Sequence, residues 1–226
     1  MKIKGLLAFT ALLATATFTN AQQTYVDLDS GGVDFIYTKK APSEAAQGTQ
    51  YYIENFNAAK INDSKEIVLA RYNAYSDEME VKVHDEIMVL DPKEDMVVAL
   101  TNKSATYVFT QYKNEDGEMG QNYLVLVSDN PNLKIFRSER IFLQPEKHPD
   151  TGYQKYKAPM YKKRDAKYYI QMNNGEIVHM SDRRKDIMAL IPGKEKDIKT
   201  FMKKNKIKVS EDNDLKLLGN YLNTLL

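Results

Sequence analysis

The stretch Arg71–Pro92, RYNAYSDEMEVKVHDEIMVLDP, decides the fold, because apolar and charged residues alternate along it on both sides of a short polar turn. The apolar positions of its first half are Met79, Val81 and Val83, and the charged positions between them are Glu78, Glu80 and Lys82. A period of two predicts a half-buried strand with a solvated charged face. His84-Asp85 is the predicted turn, so the stretch predicts two consecutive antiparallel strands.

Further predicted strands lie on both sides of this pair. They are Tyr25–Asp29, Val33–Tyr37, Tyr51–Phe56, Lys65–Tyr72, Met96–Leu100, Ala105–Tyr112, Gln121–Ser128 and Leu133–Leu143. The segment 38–50 between them is a predicted loop, because it is polar and contains Pro42. Short strands at near-regular spacing, with no helical period between them, predict an antiparallel meander that is barrel-like or a sandwich.

A tight hairpin is predicted beyond a Pro-rich linker at residues 144–152. It covers Tyr168–Met180, and Asn174-Gly175 supplies the two positive φ angles that a type I′ turn needs. In this register His179 lies opposite Ile170.

The C-terminal region changes to a helical period. The predicted helices are Asp182–Ile191 with a Ser181 cap, Lys194–Asn205, and a third that Ser210 caps. Leu215, Leu218, Leu222 and Leu225 form one apolar stripe on the third helix. Helices of this length need packing against another element to be stable.

The predicted fold class is therefore mainly β with a C-terminal α part: an antiparallel meander, a β-hairpin and about three short helices. The expected domain organisation is a signal peptide at 1–21 and an antiparallel β domain at 22–145. The linker, hairpin and helices at 146–226 are expected to pack on that domain.

The first residues predict export. Lys2 and Lys4 form a short basic region, Gly5 to Phe18 is apolar apart from Thr residues, and Ala21 is a small residue at the cleavage position. The run is shorter than the roughly 20 residues of a membrane-spanning helix. The chain has no cysteine, so neither a lipoprotein anchor nor a disulfide framework is expected. The predicted location is the periplasm or the extracellular space, with no transmembrane span.

The charge is unevenly distributed although the formal net charge is only +1. Residues 22–145 carry 12 Lys and Arg against 20 Asp and Glu, whereas residues 146–208 carry 17 against 8. Two interpretations stay open: the two parts dock and neutralise each other, or the basic part binds an anionic partner.

The segment 153–169, YQKYKAPMYKKRDAKYY, interleaves five Tyr with six Lys and Arg. Its candidate binding residues are Tyr161, Lys162, Lys163, Arg164 and Tyr168. Such a pattern can bind nucleic acid in the cytosol, but the signal peptide argues against that partner. In the envelope the expected partners are a lipid headgroup, lipopolysaccharide or an acidic glycan, or another envelope protein. The alternative is that the segment lies across the acidic domain with its Tyr rings half-buried.

Glu78, Glu80, His84 and Asp85 form an alternative candidate site. Carboxylates and an imidazole can hold a divalent cation or act as an acid–base pair, as in a carboxylate- or metal-dependent hydrolase. A solvated strand face produces the same spacing. The oxygen-rich loop Asn114–Asn122 lacks the spacing of a calcium loop, so a hairpin turn is predicted there.

The sequence lacks the Gly-x-Ser-x-Gly, Walker, dinucleotide-binding and His-Glu-x-x-His motifs. Its three histidines are His84, His148 and His179. We therefore assign no catalytic residue, no metal ligand and no cofactor, and a non-catalytic binding or assembly role is the leading hypothesis.

Two stretches resemble a group of small, uncharacterised secreted proteins of Bacteroidetes-type bacteria. YNAYSDEMEVKVHDEIMVLDP is similar to their arginine-tyrosine-asparagine and E-M/I-E-V-K strand pair, and KEKDIKTFMKKNKIKVSEDNDLKLLGNYLN resembles their helical C-terminus. The resemblance implies secretion and the order of β before α. Because the group has no assigned activity, it implies no catalytic or binding residue.

Overall fold

The computed structural model describes residues 46–149 and 155–226, together with the backbone of two strands nearer the N-terminus. Its strands are β1 Gln23–Tyr25, β2 Ile36–Lys39, β3 Asn57–Ile61, β4 Val68–Asn73, β5 Glu78–Val83, β6 Glu86–Leu90, β7 Met96–Leu100, β8 Thr106–Lys113, β9 Met119–Asp129, β10 Leu133–Ser138, β11 Ile141–Gln144, β12 Met160–Lys163, β13 Lys167–Met172 and β14 Val178–Met180. Its helices are α1 Arg184–Met188, α2 Glu195–Lys204 and α3 Asp212–Asn223.

The strands form a large sheet that closes on itself at one end. Strand β8 pairs with both β9 and β14, and the order β14-β13-β10-β9 completes a five-stranded, barrel-like ring. From β8 the sheet continues outward through β7-β3-β4-β5-β6-β2-β1. Strands β11 and β12 form a separate two-stranded sheet. The predicted fold class, mainly β with a C-terminal α part, is confirmed.

The central strand pair predicted from Arg71–Pro92 is present as β5 and β6. The predicted turn is confirmed, because His84 and Asp85 have φ angles of 46° and 67°, the positive pair of a type I′ hairpin. Strand β5 also pairs with β4, which places Arg71 opposite Glu80. This cross-strand register builds the buried network described below.

Three groups of buried side chains form the core. The first lies under the meander and includes Tyr72, Met79, Val81, Tyr107 and Tyr123. The second lies between the ring and the helices and includes Ile135, Ile170, Ile198, Leu218 and Leu222. The third contains Tyr112, Leu124, Phe136, Tyr169 and Ile177. Because four of the ring strands each supply one member and Ile177 directly precedes the fifth, this third group fills the inside of the ring.

Helix α3 packs on strands β9 and β10. The predicted leucine stripe is confirmed at Leu215, Leu218 and Leu222, which are fully buried, whereas Leu225 lies beyond the end of α3 and is partly buried. Gly219 permits the close approach, because a Cβ atom there would lie 2.5 Å from the Ser128 hydroxyl and 3.2 Å from Ile135 Cδ1.

The predicted strand Tyr51–Phe56 is wrong. The strand lies one segment later, at Asn57–Ile61, and within 51–56 the ladder is limited to a bridge between Tyr51 and Asn73. The aromatic residues that suggested a strand use their hydroxyls instead: Tyr51 donates to Glu80, and Tyr52 donates to main-chain carbonyls. The segment is therefore a loop held against the sheet by its side chains.

Several local predictions also change. The predicted strand Leu133–Leu143 is divided into β10 and β11 at Glu139-Arg140. In the C-terminal hairpin the positive φ angles belong to Asn173 and Asn174, which puts His179 opposite Tyr169 instead of Ile170. Because Asn tolerates the left-handed region, the turn does not need the glycine.

The helix starts differ from the predicted caps. Helix α1 is shorter than predicted and begins after Arg183, whose N–H donates to the Ser181 hydroxyl at 3.1 Å. The residue before α3 is Glu211, without a side-chain cap, so Ser210 does not cap it.

Some predictions fall outside the described residues. These are the signal peptide at 1–21, residues 26–29 and 33–35 of the predicted strands Tyr25–Asp29 and Val33–Tyr37, and residues 40–45 of the predicted 38–50 loop. The loop prediction is wrong at its first two residues, because β2 continues to Lys39. Strand β10 precedes the Pro-rich linker and β13 follows it. The two strands pair in one sheet, so the sheet contains strands from both sides of the linker.

Candidate functional site

The basic candidate residues lie on a short hairpin-like sheet at the protein surface. Strand β12 pairs with β11, so that Lys162 lies opposite Phe142. On its other edge β12 meets Gln47, whose N–H donates to Pro159 O at 2.9 Å and whose carbonyl accepts from Tyr161 N at 2.8 Å. The backbone that carries the lysines is therefore fixed on both sides.

Aromatic rings hold two of the three cations. The Lys163 Nζ lies 4.4 Å from the centroid of the Tyr52 ring, and the Arg164 guanidinium lies 5.3 Å from that of Phe142. The Tyr52 hydroxyl donates to the carbonyl of Arg164 at 3.2 Å, and Arg164 N donates to Arg140 O at 2.8 Å. Such contacts stabilise a cation by about 0.5–1 kcal/mol at exposed sites and restrict its orientation.

The three cations remain without a carboxylate partner in the described part of the chain. Some exposed lysines have one, since Lys82 pairs with Asp85 at 2.8 Å and Lys113 pairs with Glu176 at 2.6 Å, whereas others, such as Lys196 and Lys199 on α2, have none among the described residues. Lys162, Lys163 and Arg164 are exposed, and among the described residues none forms such an ion pair. The structure therefore gathers three positive charges, none of them in an ion pair with a described residue, at one end of β12.

Tyr161 and Tyr168, the other two predicted binding residues, are buried and do not belong to the exposed basic surface. Both are 8% exposed. The Tyr161 hydroxyl accepts from Gln50 Nε2 at 2.6 Å. The Tyr168 hydroxyl donates to Ser210 O at 3.0 Å and to Asp212 at 3.1 Å, and burial followed by the Asp212 charge raises the pKa of Tyr168 to about 12. Tyr161 anchors β12 and Tyr168 anchors the start of α3.

The predicted solvated face of β5 is wrong at Glu80, which is 0% exposed. Arg71 Nε donates to its Oε2 at 2.8 Å, the Tyr51 hydroxyl donates to its Oε1 at 3.0 Å, and Asn73 Nδ2 donates to the same oxygen at 3.0 Å. The Arg71 guanidinium also lies 4.0 Å from the Tyr51 ring and 4.3 Å from the Phe56 ring. Burial and then the Glu80 charge raise the pKa of Tyr51.

The Glu80 network extends to the basic hairpin. Asn73 Nδ2 also donates to Gln50 Oε1 at 2.8 Å, and Gln50 in turn donates to Tyr161. Asn73 of the opening stretch thus joins the central strands, through Gln50, to β12, the strand that carries the lysines. Sequence reasoning missed this link, although Arg71 opposite Glu80 was implied by the register of two adjacent strands.

The alternative carboxylate site does not assemble. Glu80 is buried in its network, Glu78 accepts from the Ser76 hydroxyl at 2.7 Å, and Asp85 is 93% exposed at the β5–β6 turn. Lys82 lowers the pKa of the Asp85 carboxyl through a hydrogen bond and its charge. In residues 46–149 and 155–226, no three His, Cys, Asp or Glu side chains group closely enough to hold a metal ion.

The oxygen-rich loop 114–118 is a hairpin turn, as predicted. Asn114 Oδ1 accepts from Asp116 N and from Glu118 N, both at 2.9 Å. Gly117 has a φ angle of 81°. The side-chain oxygen of Asn114 thus closes an Asx-type turn, which explains why an asparagine stands at this position.

A second buried network joins the β4–β5 turn to the β10–β11 turn. Asp77 Oδ1 accepts from the Tyr72 hydroxyl at 2.5 Å and from Arg140 Nη1 at 2.8 Å. Asn122 donates to the other oxygen of Asp77. Because the Asp77 carboxylate of one turn is paired with the Arg140 guanidinium of the other, the network stabilises the two turns against each other.

A third network crosses from the meander to helix α3. Arg137 donates to Glu139 and to Asp212, and the Tyr107 hydroxyl donates to Glu139 at 3.2 Å. Burial raises the pKa of the Glu139 carboxyl. The buried arginines thus have structural carboxylate partners, in contrast to the cations of β12.

Alkaline pH is expected to unfold the protein through its buried tyrosines. Burial is the largest cause of the raised pKa values of Tyr72, Tyr107, Tyr123 and Tyr169. In the unfolded chain tyrosines lose their protons near pH about 10. Above that pH the folded state binds more protons than the unfolded state, so the free energy of unfolding falls as pH rises and is unaffected by these groups below it. Tyrosinate absorbance should rise together with the loss of the β-sheet circular dichroism signal.

Tyr123→Phe is the sharpest variant for this prediction. The Tyr123 hydroxyl is buried and has no hydrogen-bond partner among the described residues. Removing it eliminates an ionisable group without breaking a hydrogen bond, so the midpoint of the alkaline transition should move to higher pH. Tyr75→Phe, at a 39% exposed position, is the control. Tyrosines that all titrate near pH about 10 in an intact sheet would contradict the prediction.

Comparisons with protein-family models, with curated proteins and with solved structures found no match. The resemblance to secreted Bacteroidetes-type proteins therefore stays a prediction. Among the residues that the structure describes, no helix has the length and apolar character that a membrane span requires.

Proposed function

We propose that this chain is an exported envelope protein with a non-catalytic binding or assembly role, acting through a basic surface formed by Lys162, Lys163 and Arg164. One observation carries the proposal: these three adjacent cations are exposed and have no carboxylate partner among the described residues. A charge in an ion pair is largely neutralised by its partner, whereas a cluster of exposed cations without ion pairs raises the local concentration of anions. The partner is an anionic envelope component, such as a lipid headgroup, lipopolysaccharide or an acidic glycan.

The contacts of the basic segment favour binding over docking on the acidic part of the chain. Docking would place its cations against carboxylates. Instead, the side chains of Lys163 and Arg164 contact aromatic rings, and the Arg164 N–H donates to the carbonyl of Arg140. Tyr161, Tyr168 and Tyr169 are the residues of the segment that are inserted into the core. The segment is thus held by tyrosines and by main-chain bonds, which leaves its charges available.

Export supports the choice of partner and remains an expectation from residues 1–21. The anionic groups available to a basic surface outside the cytoplasm are mainly lipid phosphates and the acidic groups of glycans, and not nucleic acid. The chain has no cysteine and therefore folds without a disulfide framework.

Replacing Lys162, Lys163 and Arg164 together by Ala is expected to weaken retention on vesicles of phosphatidylglycerol in phosphatidylcholine. Each basic residue near an anionic surface contributes about 1 kcal/mol, so the partition coefficient should fall about 100-fold. Cosedimentation with the vesicles at low ionic strength measures it. The melting temperature should fall by only a few degrees, because the replacement removes two ring contacts of about 0.5–1 kcal/mol each and no ion pair among the described residues.

The matched control removes three exposed lysines from another surface: Lys196, Lys199 and Lys203 on α2. It makes the same change in net charge and should retain most of the binding. Equal losses for the two variants would show a general charge effect and contradict the assignment to β12. Unchanged retention of the first variant would contradict the proposed function itself.

A further inference from the structure

The end of β12 opens into a surface depression of about 540 Å³. Its lining residues are Phe142, Lys163, Arg164, Asp165 and Lys167. We propose that this depression binds a phosphorylated saccharide, which rests on the proposed function and names its ligand class. Three lines of geometry support a discrete site in place of a diffuse charged surface.

The charge of the depression favours an anionic ligand such as a phosphomonoester. Its lining holds three cations and one carboxylate, and Lys167 is also paired with Glu115. Lys163 and Arg164 remain as the two lining cations without an ion pair among the described residues. A phosphomonoester carries a charge of about −1.5 to −2 at neutral pH. Asp165 offsets one of these two positive charges, so the lining outside the Lys167–Glu115 pair has a net charge of +1, which favours an anionic group.

The two free cations are already oriented. Arg164 lies beside the ring of Phe142, and Lys163 lies over the ring of Tyr52. The Tyr52 hydroxyl fixes the backbone carbonyl of Arg164 at 3.2 Å. A guanidinium that rests on a ring keeps its planar edge for two parallel hydrogen bonds to phosphate oxygens. Restricting the cations before binding lowers the ordering cost that an anion must overcome.

The size and the remaining lining residues fit a sugar ring next to the phosphate. A volume of this size is in the range of small-molecule sites, about 300–1,000 Å³, and exceeds what inorganic phosphate fills. The half-buried Phe142 ring offers apolar surface to the C–H face of a saccharide. The Asp165 carboxylate is exposed and can accept hydrogen bonds from sugar hydroxyls. Neither group would contribute to binding phosphate alone.

A titration followed by heteronuclear NMR tests the site with three probes: glucose monophosphate, inorganic phosphate and glucose. Glucose monophosphate should bind saturably and at least about fivefold more tightly than inorganic phosphate, because only the sugar reaches Phe142 and Asp165. Glucose should not bind measurably. The shifted amide signals should come from β11, β12 and residues 164–167.

Arg164→Lys keeps the charge but loses the planar edge, so affinity for glucose monophosphate should fall at least about tenfold. Phe142→Leu should lower it about threefold through the lost ring contact. Lys199→Ala, at an exposed position on α2, is the control and should leave it unchanged. Both Arg164→Lys and Phe142→Leu should keep their retention on anionic vesicles, since no charge is removed.

The outcomes separate this inference from the proposed function. Absence of saturable binding, affinity equal to that of inorganic phosphate, or an unaffected Arg164→Lys variant would each overturn the phosphosaccharide site. If the triple alanine variant still loses vesicle retention in that case, the basic surface stands without a discrete site. If that variant keeps its retention, the proposed function fails, whatever the saccharide titration shows.

Discussion

Replacing Glu80 by Gln is expected to lower the free energy of unfolding by about 3 kcal/mol, because removing one partner of a buried ion pair leaves the other charge uncompensated. Glu80 is 0% exposed, and the side chain of Arg71 is only 18% exposed. Gln can still accept from Tyr51 or Asn73, so the loss should come mainly from Arg71, whose charge would face a neutral amide. Chemical denaturation measures the change.

Glu78→Gln is the matched control, two residues earlier on the same strand. Glu78 is partly exposed and accepts from Ser76 near the turn, so its replacement should cost less than about 0.5 kcal/mol. The alternation of charges in the sequence treats the two glutamates as equivalent. Similar effects of the two replacements would indicate that Glu80 is as solvated as Glu78 and would contradict its burial in the core.

Leu218→Ala is expected to lower the free energy of unfolding by about 2–5 kcal/mol, since it removes a fully buried side chain and leaves a cavity. Leu218 is 0% exposed, in the group of core residues shared by α3, α2 and the ring strands. The neighbouring Gly219 holds α3 close to Ser128, so the helix has little freedom to move inward and fill the space. Thermal and denaturant unfolding both report the loss.

Leu217→Ala, one residue away, is the control. Leu217 is 43% exposed, and the change should lie within about 0.5 kcal/mol because little surface is newly exposed. A similar small effect at Leu218 would mean that α3 does not pack on β9 and β10 in solution.

Most of the β-strands could be predicted because their side chains alternate or because a turn marks their ends. The β5–β6 hairpin is an example: its apolar face and its turn at His84-Asp85 are both written in local sequence. The strand Asn57–Ile61 could not be predicted in this way. Its sequence, NAAKI, lacks β-branched residues except Ile61, and its pairing with β4 and β7 gives it structure.

The charged networks were less accessible to sequence reasoning than the fold. Glu78 and Glu80 have the same spacing and the same chemistry, and only one is buried. The difference comes from Tyr51 and Arg71, which reach Glu80 from other segments of the chain. Burial of a charge is a tertiary property, so no pattern within β5 distinguishes the two.

The basic candidate residues were divided by the structure for a similar reason. A run of Tyr, Lys and Arg does not tell which side chains face the core, and in β12 the Tyr161 ring is inserted while the lysines stay outside. Tyr168 belongs to a different sheet and contacts α3. The opening stretch Arg71–Pro92 is a scaffold, and through Asn73 and Gln50 it fixes the strand that carries the cations.

Lys162, Lys163 and Arg164 are the proposed working surface of the protein. The most direct test is the partition of the native protein onto vesicles with and without phosphatidylglycerol, each at low and at high ionic strength. We expect binding to the anionic vesicles only, with most of it lost at high salt because exposed charges are screened. Equal partition onto neutral and anionic vesicles, or none onto either at low salt, would contradict the claim.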